Sequence, residues 1–87
     1  MKSRKRITLF NGCQIRMGDF LRIEFEKGLL RWVMVTDPRG PASVRATILE
    51  EANARYKQGR SMDISLKYAQ EHRSKDNPPP LWSTAHT

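Results

Sequence analysis

Four short apolar segments in the first 37 residues, separated by turn-forming residues, constrain this chain more than any other feature. Asn11-Gly12 stands between Ile7-Thr8-Leu9-Phe10 and Cys13-Gln14-Ile15-Arg16-Met17. Both turn residues reach positive φ, as a type I′ turn requires, and the twist of that turn matches the twist of paired strands. Gly18-Asp19 and Lys27-Gly28 repeat the punctuation. Leu21, Ile23 and Phe25 alternate with Arg22, Glu24 and Glu26, the period of a half-buried strand. Residues 29–36 are apolar on both faces apart from Arg31, as suits a strand inside a sheet or under a second layer. Asp37-Pro38-Arg39-Gly40-Pro41 reads as a stop, because proline donates nothing to a ladder. The spacing predicts a four-stranded antiparallel meander over about residues 5–37.

A different period follows. Val44, Ile48, Ala52 and Tyr56 recur every four residues behind Ser43, so a helix is expected from Ser43 to about Gln58, with Gly59 at its C-terminal cap. Glu51 and Arg55 form an i, i+4 pair in the favourable order. Ser61 suits the cap of a second, weaker helix from about Met62 to Arg73, with Met62, Ile64, Leu66, Tyr68 and Ala69 apolar. Two helices joined by Gly59-Arg60 would carry Arg60, Lys67, Arg73 and Lys75 toward a nucleic-acid groove; the plainer reading is a helical hairpin covering the sheet. The expected fold class is therefore α+β: the meander, as a small barrel or curled sheet, then two helices. The domain spans residues 1–75, and residues 76–87 form a Pro-rich flexible tail with a polyproline stretch at Pro78-Pro79-Pro80-Leu81-Trp82.

The run from Ile15 to Ile23, with its Gly18-Asp19 turn, followed by Trp32-Val33-Met34-Val35, resembles the opening of SH3-like small barrels. The resemblance covers about a third of the chain and implies that architecture. Such barrels serve both nucleic-acid-binding and protein-binding modules, so it implies no single function.

Charge gives the functional lead. Sixteen basic residues against nine acidic ones give +7, and nine of the basic residues with only four of the acids lie in residues 1–40. An uneven positive field favours an anionic partner. The expected function is non-catalytic binding of DNA or RNA in a regulatory or accessory role. Phosphate contacts would come from Lys2, Arg4, Lys5, Arg6, Arg16, Arg22 and Arg31, and base stacking from Phe10 and Trp32, unless Trp32 belongs to the core. Alternatively Glu24 and Glu26 neutralise Arg16 and Arg22 across strands. The rival function is a protein-interaction module, an inhibitor or adaptor docking on an acidic surface, with Leu81 and Trp82 in the Pro-rich tail as partner contacts. A homodimer is a third possibility, since a chain this short builds a modest core.

Other classes find little support. Cys13 is alone, so neither an internal disulfide nor a cysteine-based zinc site is available. His72 and His86 fit no metal or nucleophile spacing, and no glycine-rich phosphate loop is present. No enzyme activity, cofactor or metal is expected. No apolar run approaches a membrane span, so the protein is expected in the cytoplasm, without a membrane partner.

Overall fold

The computed structural model describes residues 8–80. Among them are seven strands and one 3-10 turn: β1 Thr8–Phe10, β2 Cys13–Ile15, β3 Phe20–Glu26, β4 Leu29–Gly40, β5 Ser43–Ile48, β6 Ser61–Ser65, the 3-10 turn Leu66–Tyr68, and β7 Ala69–Arg73. β1 and β2 form a separate antiparallel hairpin. Asn11 and Gly12 turn it with φ of 52° and 81°. The remaining strands make one antiparallel sheet in the order β6-β5-β4-β3-β7.

This corrects the expected fold class. There is no α-helix among the described residues, and no four-stranded meander followed by two helices. The segment expected as the first helix is β5 followed by a loop over residues 49–60, and the second is β6, the 3-10 turn and β7. The reason lies in the side chains of β5. Val44, Ala46 and Ile48 are fully buried and alternate with half-exposed Ser43, Arg45 and Thr47, a period of two. A spacing of four is shared by both periods, so Val44 and Ile48 alone do not distinguish them; Ala46 does. Val44, Thr47 and Ile48 are also β-branched, which costs side-chain freedom in a helix and packs well on a pleated surface. Pro38 and Gly40 do not end the sheet either. They lie in β4 at shifts of register against β5, so the missing N–H of Pro38 falls where the ladder is already irregular.

With no helix to cover it, the apolar face of the sheet is enclosed by its own curl. One cluster joins Leu21 and Ile23 of β3, Val33 and Val35 of β4, Val44, Ala46 and Ile48 of β5, Ile64 of β6, Leu66 of the 3-10 turn and Ala69 of β7. Registered pairs such as Leu21 with Val33 and Val33 with Ile48 put these on one face. Burying each large aliphatic side chain contributes about 1.5–3 kcal/mol. Ile15 joins the cluster from the β1–β2 hairpin, which thereby closes one end. The Thr8 hydroxyl docks that hairpin by donating to the Gly40 carbonyl. At the other end Phe25 packs on Tyr56 of the β5–β6 loop, ring centroids 4.7 Å apart. Among the described residues no helix or second sheet covers the outer face, and a site is sought there and at the sheet's flanks.

Candidate functional site

The β2–β3 turn and the chain leaving β7 are tied together by one carboxylate. Asp19 is 4% exposed. Its Oδ2 accepts the backbone N–H of Arg16 at 3.0 Å and lies 2.9 Å from His72 Nε2, and its Oδ1 accepts the backbone N–H of Lys75 at 3.0 Å. The Asp19 backbone meanwhile receives the N–H of Val35, and Gly18 donates to the Val35 carbonyl, both at 2.7 Å. The aspartate–histidine pair is thus a clamp. Both carboxylate oxygens are occupied by backbone donors, and no hydroxyl or thiol hydrogen-bonds the imidazole among the described residues. No group of acidic, histidine or cysteine side chains among them is arranged to hold a metal ion.

The clamp brings cations together. Arg16 is exposed and makes no ion pair among the described residues. Lys75 lies beside it: its Cβ and Cδ sit 3.5 Å from where a side chain on Gly18 would begin, and both residues line a groove of about 300 Å³ with His72, Ser74 and the exposed Asp76. The next cations follow up the sheet by register. Arg73 of β7 pairs with Phe20 of β3, and Phe20 with Met34 of β4; one step on, Arg22 stands between Glu71 and Trp32. Arg73 and Arg22 share Glu71, at 3.3 and 3.9 Å, and Glu50 lines the same groove. A strip of Arg16, Lys75, Arg73 and Arg22 therefore runs along the β3–β7 flank. Elsewhere opposite charges meet more evenly: Arg39 and Arg45 approach Asp37 and Asp63 at 3.1–3.7 Å.

The residues proposed from sequence are only partly assembled here. Arg16, Arg22 and Trp32 belong to this flank. Arg31 does not: it stands next to Trp32 on β4 and faces the other way. Its guanidinium donates to the carbonyls of Glu51 and Leu30, at 3.1 and 2.8 Å, which anchors the β5–β6 loop. Phe10 is half-buried and packs against the core from the hairpin. Trp32 is 7% exposed, with the Arg73 guanidinium 5.7 Å from its ring centroid. Lys2, Arg4, Lys5, Arg6, Leu81 and Trp82 lie outside the described residues. The expected neutralisation by Glu24 and Glu26 is not what the flank shows, since Glu24 accepts from Gly28 and Gln70 and Glu26 from Asn53.

Sequence reasoning placed Arg60, Lys67, Arg73 and Lys75 on one helix. The structure corrects this: Arg60 is in the β5–β6 loop, Lys67 in the 3-10 turn, Arg73 in β7 and Lys75 just past it. Only Arg73 and Lys75 join the strip. No local alternation marks them: Ala69, Glu71 and Arg73 would share one face of a regular strand, and the register shift between Arg22 and Ile23 is what puts Ala69 in the core and pairs Glu71 with Arg22. Among the described residues no helix is long and apolar enough to cross a membrane. Comparison of the chain with protein-family models, curated proteins and solved structures finds no match.

Proposed function

We propose that the protein binds nucleic acid through its phosphate backbone, as a non-catalytic accessory or regulatory factor of the cytoplasm. The observation that supports this most directly is the β3–β7 flank, where Arg16, Lys75, Arg73 and Arg22 follow one another and the last two share Glu71. The strip continues a second feature of the sequence. Lys2, Arg4, Lys5 and Arg6 lead directly into β1, and no acid occurs before Asp19. β1 begins at Thr8, whose partner in β2 is Ile15, the neighbour of Arg16. Thr8, the first described residue, thus stands opposite the neighbour of Arg16. Arginine and lysine so arranged release counterions when they meet phosphates, which makes binding strongly salt-dependent.

Fluorescence anisotropy of labelled oligonucleotides across a salt series tests this. The double variant R16A/K75A is expected to lower the salt slope by about 1.4 for single strands, from about 0.7 per phosphate neutralised. Absence of binding at low salt for single-stranded and duplex DNA and RNA alike would overturn the reading.

A second reading keeps one observation in its favour. Leu9 and Met17 are 51% and 67% exposed, on either side of Arg16 in the chain, and apolar side chains beside cations suit an acidic protein surface. A complex that survives nuclease treatment and is broken by L9S/M17S would favour it.

A further inference from the structure

Trp32 is buried in an unusual place. Its neighbours Val33 and Val35 belong to the core cluster, but Trp32 does not. It pairs with Arg22, whose side chain is on the outer face, so its indole also stands on the side of the sheet that has no second layer. Yet it is as inaccessible as a core residue. Part of the cover is Arg73. The chain's own continuation comes up to the same place. After β7 a turn closes with the Asn77 N–H donating to the Ser74 carbonyl at 2.9 Å, while the Lys75 N–H is held by Asp19. The chain is thereby sent back over the sheet. Pro79 is buried, and Pro80 forms one wall of a groove of about 250 Å³ whose other walls are Arg22, Trp32, Glu50, Glu71 and Arg73.

Among the described residues no hydrogen bond ties residues 78–80 to the body. Three prolines bring no N–H donors that would have to be satisfied beneath them, and they are already extended, so docking costs little order and undocking strands no polar group. A proline ring across a groove from an indole, beside two guanidinium groups, stands where a nucleobase and its phosphate would fit: aromatic stacking for the base, planar cationic forks for the oxygens.

We propose that Trp32, Arg22 and Arg73 form a stacking site for an unpaired nucleobase, and that Pro79-Pro80 is its internal occupant, displaced by single-stranded nucleic acid. The proposal rests on the nucleic-acid reading above and names the form of ligand it takes. Duplex bases, stacked on each other, offer no free face to Trp32. When only a fraction of molecules has the site open, apparent affinity falls by that fraction, and removing the occupant restores it.

The test uses the full chain carrying W82F, so that Trp32 is the one remaining tryptophan. In this background P78G/P79G/P80G removes the rings without removing the segment. Acrylamide quenching of Trp32 reads the cover directly, and anisotropy with mixed-sequence single-stranded and duplex oligonucleotides reads the site. The expected result is increased quenching, single-strand binding tighter by about fivefold or more, and duplex binding unchanged. W32L in the glycine variant should then cancel the gain. Unchanged quenching overturns the proposal, because the prolines then do not cover Trp32. Increased quenching without a gain for single strands overturns it too, as does an equal gain for duplex. If neither form binds any oligonucleotide, the functional reading fails with it, whereas loss of the gain alone leaves that reading standing.

Discussion

Replacing Asp19 by alanine should cost more stability than any other single change at a charged position. The carboxylate is almost fully buried and accepts from three donors in three parts of the chain: Arg16 before β3, His72 in β7 and Lys75 beyond it. Alanine leaves two backbone N–H groups and an imidazole facing a void. A partly buried donor without a partner costs about 1–3 kcal/mol, and bonds to a charged acceptor lie at the upper end. Some donors will recover a water, so the sum should fall at about 3–5 kcal/mol, against about 5–15 kcal/mol for the whole stability of a small domain. D19N keeps one acceptor oxygen and turns the other position into a donor, and should fall between wild type and D19A. Urea melts followed by far-ultraviolet circular dichroism give the difference from the shift in midpoint at constant slope. Hydrogen exchange adds a local reading, since the amides of Arg16 and Lys75 should lose protection beyond the global change. E71A is the matched control: its ion pairs are partly exposed, and surface pairs of that kind contribute about 0–1 kcal/mol. A D19A protein as stable as E71A would refute the clamp.

Two further outcomes follow from the packing. V33A, at the centre of the sheet with Leu21 on one side and Ile48 on the other, should destabilise by about 1.5–3 kcal/mol in the same melts, because neighbours held by their ladders cannot collapse into the void. N53A removes the side chain that accepts the N–H groups of Arg55 and Tyr56 and donates to Glu26 at 2.8 Å; it should cost only about 1 kcal/mol, yet speed amide exchange throughout residues 52–59 while leaving β3 and β4 protected.

What could be read in the sequence was whatever rested on a short, unambiguous period. Arg22, Glu24 and Glu26 against Leu21, Ile23 and Phe25 marks β3, and Asn11-Gly12 marks the first turn because only such residues reach the positive φ found there. β5 escaped because its buried residues, read past its end into Ala52 and Tyr56, mimic a helical stripe. In the structure those two sit in a loop, where Ala52 donates to the Tyr56 carbonyl at 2.9 Å. Gly59 does carry positive φ, at 89°, but in that loop and not behind a helix. The hairpin faces were legible only in part. Thr8 is buried and Leu9 exposed, against their hydropathy, because the Thr8 hydroxyl has the Gly40 carbonyl to bind from 32 residues away. The flank was hidden for the same kind of reason. Arg73 and Lys75 reach Arg16 and Arg22 only once β7 has paired with β3, a partner some 50 residues earlier. Local pattern carries no information about that pairing.

That pairing also decides where charge is left over. In a sheet closed on its own core, each outward position has its nearest partners on the adjacent strands, so the sign of a patch depends on strand order more than on composition. β5 and β6 set Arg45 against Asp63, and β4 brings Asp37 and Arg39 close by, so that region cancels. β3 and β7 set Arg22 against Glu71 and Phe20 against Arg73, and beyond them Asp19 turns inward to hold the backbone, so that Asp76 is the acid left beside Arg16 and Lys75 among the described residues. Asp19 therefore does two things at once. It fixes the turn that carries Arg16 and the exit that carries Lys75, and it buries its own charge under backbone donors. Without it the two cations would lose their shared placement, and because D19A removes a negative charge, a salt slope that falls together with the stability of the clamp would report placement and not net charge.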